Sequence, residues 1–192
     1  MSRIGIFGGS FNPIHYGHIE LGRALCREHK VDQFWYVVSP LNPLKAGDRD
    51  LASSEDRLEM VRAAAAPFPE LQVSDIEFSL PAPSYMAHTL SFLKVMYPAD
   101  EFVLIIGADN WLGFSKWYHY QEILAHHKIL VYPRPGYNLP EVLPANVTKV
   151  DTPLFDVSAT EIRSLLEQGK DPGELIPPQV MRIIRAKHLY GV

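Results

Sequence analysis

The sequence predicts an α/β protein: an open, mostly parallel sheet covered on both faces by helices. Three observations carry that reading. Short apolar or β-branched runs alternate with helix-like segments along the chain. The run FVLIIG (102–107) is continuously apolar, the pattern of a central strand buried on both faces. At 192 residues, 47% of them hydrophobic, the chain suits one domain (1–192) with a sizeable core.

The elements follow in order. RIGIF (3–7) reads as a buried strand. IELGRALCREH (19–29) reads as a helix, its first turn opening near Tyr16 and Gly17. FWYVVS (34–39) is aromatic and β-branched, hence a strand. Serines and acids open a helix at 53–66, which stops before Pro67. Alternation makes 71–79 a strand. A helix over 84–97 stops before Pro98, ahead of the central strand. WYHYQEILAH (117–126) reads as a helix and KILVY (128–132) as a strand. Residues 158–169 form a helix with Gly169 at its C-terminus, and 177–191 a last helix with proline in its first turn. Residues 39–50 and 133–144 are Pro/Gly-rich loops.

In such sheets ligands sit outside the carboxyl ends of the strands. Residues 8–18, 39–50 and 107–117 all follow strand ends, so they should line one crevice. The first of them reads GGSFNPIHYGH. Gly8 and Gly9 allow close approach of backbone to ligand. The helix start beyond them directs free amides and a dipole at the loop, which makes an anion site. His15 and His18 can donate hydrogen bonds to phosphate oxygens there. Two other roles fit the same residues: a structural cap and core imidazole, or a zinc site completed in space by His126 and His127. The chain has neither GxGxxG nor GxxxxGK[ST], which disfavours a dinucleotide-oxidoreductase site and a P-loop. Further along, in SATEIR (158–163), Ser158 and Thr160 can cap a helix and Arg163 lies one turn in. Together they form either a polyanion cradle or an ordinary capped helix with a surface arginine.

Composition excludes several classes. The net charge of −4 provides no basic field for nucleic acid. Cys26 is the single cysteine, so neither an internal disulfide nor a multi-cysteine zinc site can form. The apolar run at the N-terminus is too short for a signal peptide, and no stretch approaches a membrane span. A cytoplasmic protein with no membrane partner is expected; the oligomeric state stays open.

HYGH after a first strand, paired with SxTxxR opening a late helix, resembles the nucleotidylyltransferase superfamily. More narrowly, the chain resembles the bacterial nicotinate-nucleotide adenylyltransferases. The likeness spans nearly the whole chain: GGSFNPIHYGH, SPLNPLK (39–45), IGADNW (106–111), KWYHYQEIL (116–124), RPGY (134–137), VSATEIR (157–163) and IPPQVMRII (176–184) occur in the family's order. The resemblance implies a Rossmann-like nucleotidyltransferase fold. It also implies transfer of AMP from ATP to nicotinate mononucleotide, with release of pyrophosphate, in NAD biosynthesis. Mg²⁺ would accompany ATP, held mainly by phosphates and water rather than by a protein metal site.

The resemblance also implies roles. His15, His18, Lys45 and Arg163 would be catalytic. Gly8, Gly9, Ser10, Phe11, Gly107, Asp109, Ser158 and Thr160 would join the two histidines and Arg163 in binding ATP. Gly9, Ser10, Lys45, Tyr85, Trp117 and Arg134 would bind the mononucleotide, Trp117 by stacking on the pyridine ring. Several of these residue types have ordinary uses as well: Trp117 and Trp111 as core aromatics, Asp109 as a helix cap, Lys45 and Arg134 as loop charges. The chain departs from the family's usual pattern at Met86 and His88, where threonine and aspartate are common, and at Leu44, where histidine is common. Another acceptor within the superfamily, nicotinamide mononucleotide or phosphopantetheine, and a non-catalytic nucleotide-binding module are the competing readings. The HYGH stretch argues against phosphopantetheine, because that enzyme usually has threonine in place of His15.

Overall fold

The computed structural model describes residues 1–41, 51–153 and 157–192. Six strands form one sheet in the order β3-β2-β1-β4-β5-β6: β1 (Arg3–Gly9), β2 (Gln33–Val38), β3 (Leu71–Ser74), β4 (Glu101–Gly107), β5 (Lys128–Tyr132) and β6 (Val147–Lys149). Every pairing among them is parallel. The chain runs outward through β2 and β3, then returns to lay β4 against the other side of β1. The order therefore reverses between β1 and β4, and a crevice opens at their carboxyl ends.

Side-chain alternation divides the core in two. Ile4, Ile6, Leu104, Ile106, Ile129 and Val131 face one layer, with Leu90 and Leu93 of α3 (Met86–Met96) and Ile123 of α5 (Tyr120–His126). Phe7, Phe34, Tyr36, Val103 and Ile105 face the other. There they meet α1 (Tyr16–Arg27), α2 (Ser54–Ala65), α6 (Ala159–Glu167) and α7 (Pro178–Ala186). Period-2 strands between two helical layers explain the apolar runs: both faces of the central strands are buried.

Local chemistry sets the helix ends. The Ser53 hydroxyl accepts the Asp56 N–H at 3.1 Å and caps α2. At the end of α6 the chain turns left-handed at Gly169 (φ 68°), and Gly169 and Lys170 return hydrogen bonds to Leu166 and Leu165. Pro178 opens α7, as expected.

Several elements differ from expectation. The strand expected over 71–79 ends at Ser74, whose hydroxyl accepts the Ile76 N–H at 3.3 Å and turns the chain into a 3₁₀ segment, Ile76–Ser79. The helix expected from 117 starts at Tyr120, because His119 takes a left-handed conformation (φ 53°) and Trp117 is extended. The last helix stops at Ala186; left-handed His188 and Tyr190 fold the remainder into a separate turn, Leu189–Gly191. A short helix, α4 (Ala108–Leu112), and the three-residue strand β6 had no strong pattern to announce them.

Candidate active site

The loop leaving β1 supplies most of the polar groups. α1 starts at Tyr16 with His15 as its N-cap, and the His15 N–H points at His18 Nδ1, 3.4 Å away. That bond assigns the His18 proton to Nε2 and makes Nε2 a hydrogen-bond donor. The two imidazoles stack, ring centroids 3.7 Å apart at 24°. His15 is 4% exposed. Burial pushes its pKa from 6.5 down to about 3, and the nearby Arg134 charge adds to the shift. A neutral imidazole therefore waits in a site that already holds a guanidinium.

Side chains of neighbouring elements press against two glycines. A Cβ at Gly8 would run into the Met86 methyl at the start of α3. A Cβ at Gly107 would run into the Asp109 carboxylate and crowd Arg134. Asp109, in the first turn of α4, pairs with Arg134 Nε at 3.6 Å. From the third side, Arg163 Nη1 donates to the Asn12 carbonyl at 2.8 Å, tying α6 to the β1 loop. The Ser158 hydroxyl caps α6 by accepting the Glu161 N–H at 3.1 Å. Thr160 lies inside that helix and is exposed, so capping falls to Ser158 alone.

The crevice thus gathers Gly8, Gly9, Ser10, Phe11, His15 and His18 from β1 and its loop, Gly107 and Asp109 from β4 and α4, Arg134 beyond β5, and Arg163 from α6. Lys45 lies outside the described residues. Five buried side-chain polar atoms among the described residues have no hydrogen-bond partner, and three of them belong to this group: Ser10 Oγ, His15 Nδ1 and Asp109 Oδ1. Buried polar groups are normally paired; Asp109 Oδ1 faces Arg134 Nε at 3.6 Å, which leaves the Ser10 hydroxyl and the His15 imidazole edge as the polar atoms here open to a partner.

Beside the crevice, α3 begins at Met86 with Tyr85 as its N-cap, and no side chain caps its first amides. Tyr85 stacks on Tyr118 (4.5 Å, 28°), and His88 meets Tyr118 edge-on at 5.2 Å. Trp117 packs next to Phe114, 5.4 Å between rings, at the edge of the core; Trp111 stacks on the same phenylalanine. The aromatic facing Tyr85 is thus Tyr118, the residue after Trp117. The adjacent aromatics of WYHY were the available signal.

Sequence reasoning also missed Asn12, Arg57 and Tyr190. Asn12 Oδ1 accepts from the Tyr190 hydroxyl (2.7 Å) and the Ala52 N–H (3.1 Å). Arg57 occupies the apolar stripe of α2 with Val61 and Ala64, and a cation at a stripe position was a readable signal. Nothing marked Tyr190. The histidine pair His126–His127 sits at the opposite end of the sheet, where His127 Nδ1 meets the Phe102 carbonyl (3.3 Å) near the start of β4. It cannot complete a metal site with His15 and His18. No group of three or more His, Cys, Asp or Glu placed to hold a metal occurs among the described residues. Likewise, no helix there is long and apolar enough to cross a membrane.

A paired-histidine helix start at the switch point of a 3-2-1-4-5-6 sheet defines a nucleotidyltransferase: the chain matches the cytidylyltransferase-like family over residues 6–165 and belongs to it. Within that class it belongs to the nicotinate-nucleotide adenylyltransferase family. A Bacteroides fragilis protein named "Probable nicotinate-nucleotide adenylyltransferase" is 47% identical over 184 residues, covering 95% of this chain and 91% of the relative. One of the same name from Cytophaga hutchinsonii is 43% identical over 190 residues, covering 98% of each. The fold also matches the nicotinic acid mononucleotide adenylyltransferase of Plasmodium falciparum complexed with NaAD. That match has a TM-score of 0.80 at 18% identity over 99% of this chain and 98% of the other.

Proposed function

We propose that the chain joins MgATP and nicotinate mononucleotide, giving nicotinate adenine dinucleotide and pyrophosphate, as one nucleotidylyltransferase domain (1–192) of the cytoplasm. The partnerless Ser10 hydroxyl and the buried His15 imidazole, grouped at the β1–β4 switch point with the Arg134 and Arg163 guanidiniums, support the reading of a polyanion site. Family membership supplies the acceptor.

In the reaction a phosphate oxygen of the mononucleotide attacks the α-phosphorus of ATP, the bond from that phosphorus to the α–β bridging oxygen breaks, and pyrophosphate leaves. No covalent enzyme intermediate forms, so the protein contributes positioning and charge stabilisation. His18 donates through Nε2 to the oxygens of the α-phosphate as charge builds there. His15 stays neutral until the polyanion arrives. Arg163 and the amides of α6 hold the outer phosphates; Lys45 reaches the reacting ones. Asp109 keeps the Arg134 guanidinium in place for the mononucleotide phosphate. The uncapped amides of α3 receive the pyridine carboxylate between Tyr85, Tyr118 and Trp117. The metal enters as part of MgATP, held by phosphates and water.

Pyrophosphate release should be assayed with ATP plus nicotinate mononucleotide, nicotinamide mononucleotide or phosphopantetheine. The nicotinate acceptor is expected to give the highest kcat/KM. A higher value for another acceptor reassigns the substrate, and ATP binding with no release for any acceptor makes the chain a binding module.

A further inference from the structure

Arg57 is 0% exposed, and no carboxylate among the described residues pairs with it. Its guanidinium instead donates to four backbone carbonyls: Nη1 to Ser10 (2.7 Å) and Ser39 (2.8 Å), Nη2 to Pro40 (3.1 Å), and Nε to Ala52 (3.0 Å). Burying a cation on carbonyls alone is costly, and burial lowers its pKa. Apolar packing would satisfy α2 more cheaply. The arginine is therefore accounted for by what the four carbonyls belong to.

Ser10 lies in the β1 loop, between Gly9 and the left-handed Phe11 (φ 48°). Ser39 and Pro40 follow β2, and Ala52 precedes α2. One planar fork thus ties the β1 loop to both shoulders of residues 42–50, the stretch that carries Lys45. The Ser10–Phe11 peptide is planar and trans, so holding its carbonyl on Arg57 turns the Phe11 N–H the opposite way. Among the described residues that N–H has no hydrogen-bond acceptor. The next carbonyl of the loop, that of Asn12, is held in the same manner by Arg163, and the Asn12 side chain is held by Tyr190 and Ala52.

We propose that Arg57 is a positioning residue for adenylyl transfer: its buried guanidinium fixes the Ser10–Phe11 peptide so that the Phe11 N–H and the neighbouring Ser10 hydroxyl are presented to the ATP phosphates. The inference rests on the adenylyltransferase reading above. A lysine cannot replace it, because one ammonium cannot reach carbonyls spread along a fork. Arg57 itself touches no substrate.

The test compares the full-length wild type with Arg57→Lys and Arg57→Met. The readouts are folded fraction by circular dichroism, kcat and KM for MgATP, and the Kd of a non-hydrolysable ATP analogue, all at a temperature where each variant is folded. Arg57→Met should lose about 10²-fold in kcat/KM for MgATP, the scale of a misplaced binding group. Arg57→Lys should fall between it and the wild type, and both should bind the analogue more weakly. Folded variants with analogue affinity and kcat within about twofold of the wild type would overturn the proposal. So would an activity loss that only tracks the loss of folded protein, since that is the mark of a structural role. A wild type that releases no pyrophosphate with any acceptor refutes the enzymatic reading; weaker analogue binding by the variants would even then show that Arg57 positions the phosphate loop.

Discussion

At the residue scale, His15 and His18 share a stack yet differ in environment. His18 keeps Nε2 as a donor because the His15 N–H points at its Nδ1. On the proposed mechanism, replacing His18 by alanine removes a donor used where charge develops. Steady-state kinetics should therefore show kcat lower by about 10²–10³-fold, with the ATP affinity changed far less. A near-normal kcat would remove His18 from the mechanism. His15 makes a separate prediction through stability. Its folded pKa of about 3 lies below its ordinary 6.5. Between those values the unfolded chain binds the proton and the folded chain does not. The contribution of His15 is thus fully present above about pH 6.5 and is lost as the pH falls toward 3. Urea midpoints at pH 7 and pH 5 should fall more for the wild type than for His15→Gln. An equal fall in both would mean that His15 is protonated in the folded protein.

At the scale of elements, the proposed function makes the start of α3 the reader of the pyridine substituent. Backbone amides with no side-chain cap suit a carboxylate, whatever residue stands at position 86. An amide substrate would turn its NH₂ toward those same donors and leave them unpaired. The ratio of kcat/KM for nicotinate over nicotinamide mononucleotide should exceed about 10-fold, well within what a hydrogen-bonding site can reject. A ratio near one would show that this helix start does not read the carboxylate. Legibility followed element length. The long strands and helices were readable because both faces of β1 and β4 are apolar and because the caps of α2, α6 and α7 are written in Ser53, Ser158 and Pro178. β6 was not, since three residues between turns carry no periodicity. The early stop of β3 depends on the Ser74 hydroxyl and on Glu77, which is buried to accept from Ser39 and Thr89. Those contacts lie across the fold and leave no trace in a local pattern.

At the scale of the whole molecule, the site is an intersection. β1 contributes the glycines and histidines, β4 contributes Gly107 and Asp109, and α6 sends Arg163 across 151 positions of sequence to the Asn12 carbonyl. The motifs were visible one by one in the chain. Their convergence was legible only through the rule that strand ends share a crevice. The groups that hold the crevice in shape were not legible, because Arg57 and Tyr190 act on carbonyls and amides distant in sequence. The central claim is that the mononucleotide phosphate attacks the adenylyl phosphorus of ATP in that crevice. It is tested most directly with nicotinate mononucleotide carrying ¹⁸O on all its non-bridging phosphate oxygens, incubated with unlabelled MgATP. Mass spectrometry should find every label in the dinucleotide and none in the pyrophosphate. Label in the pyrophosphate, or a dinucleotide that has lost an ¹⁸O, would contradict attack by the mononucleotide phosphate on the α-phosphorus.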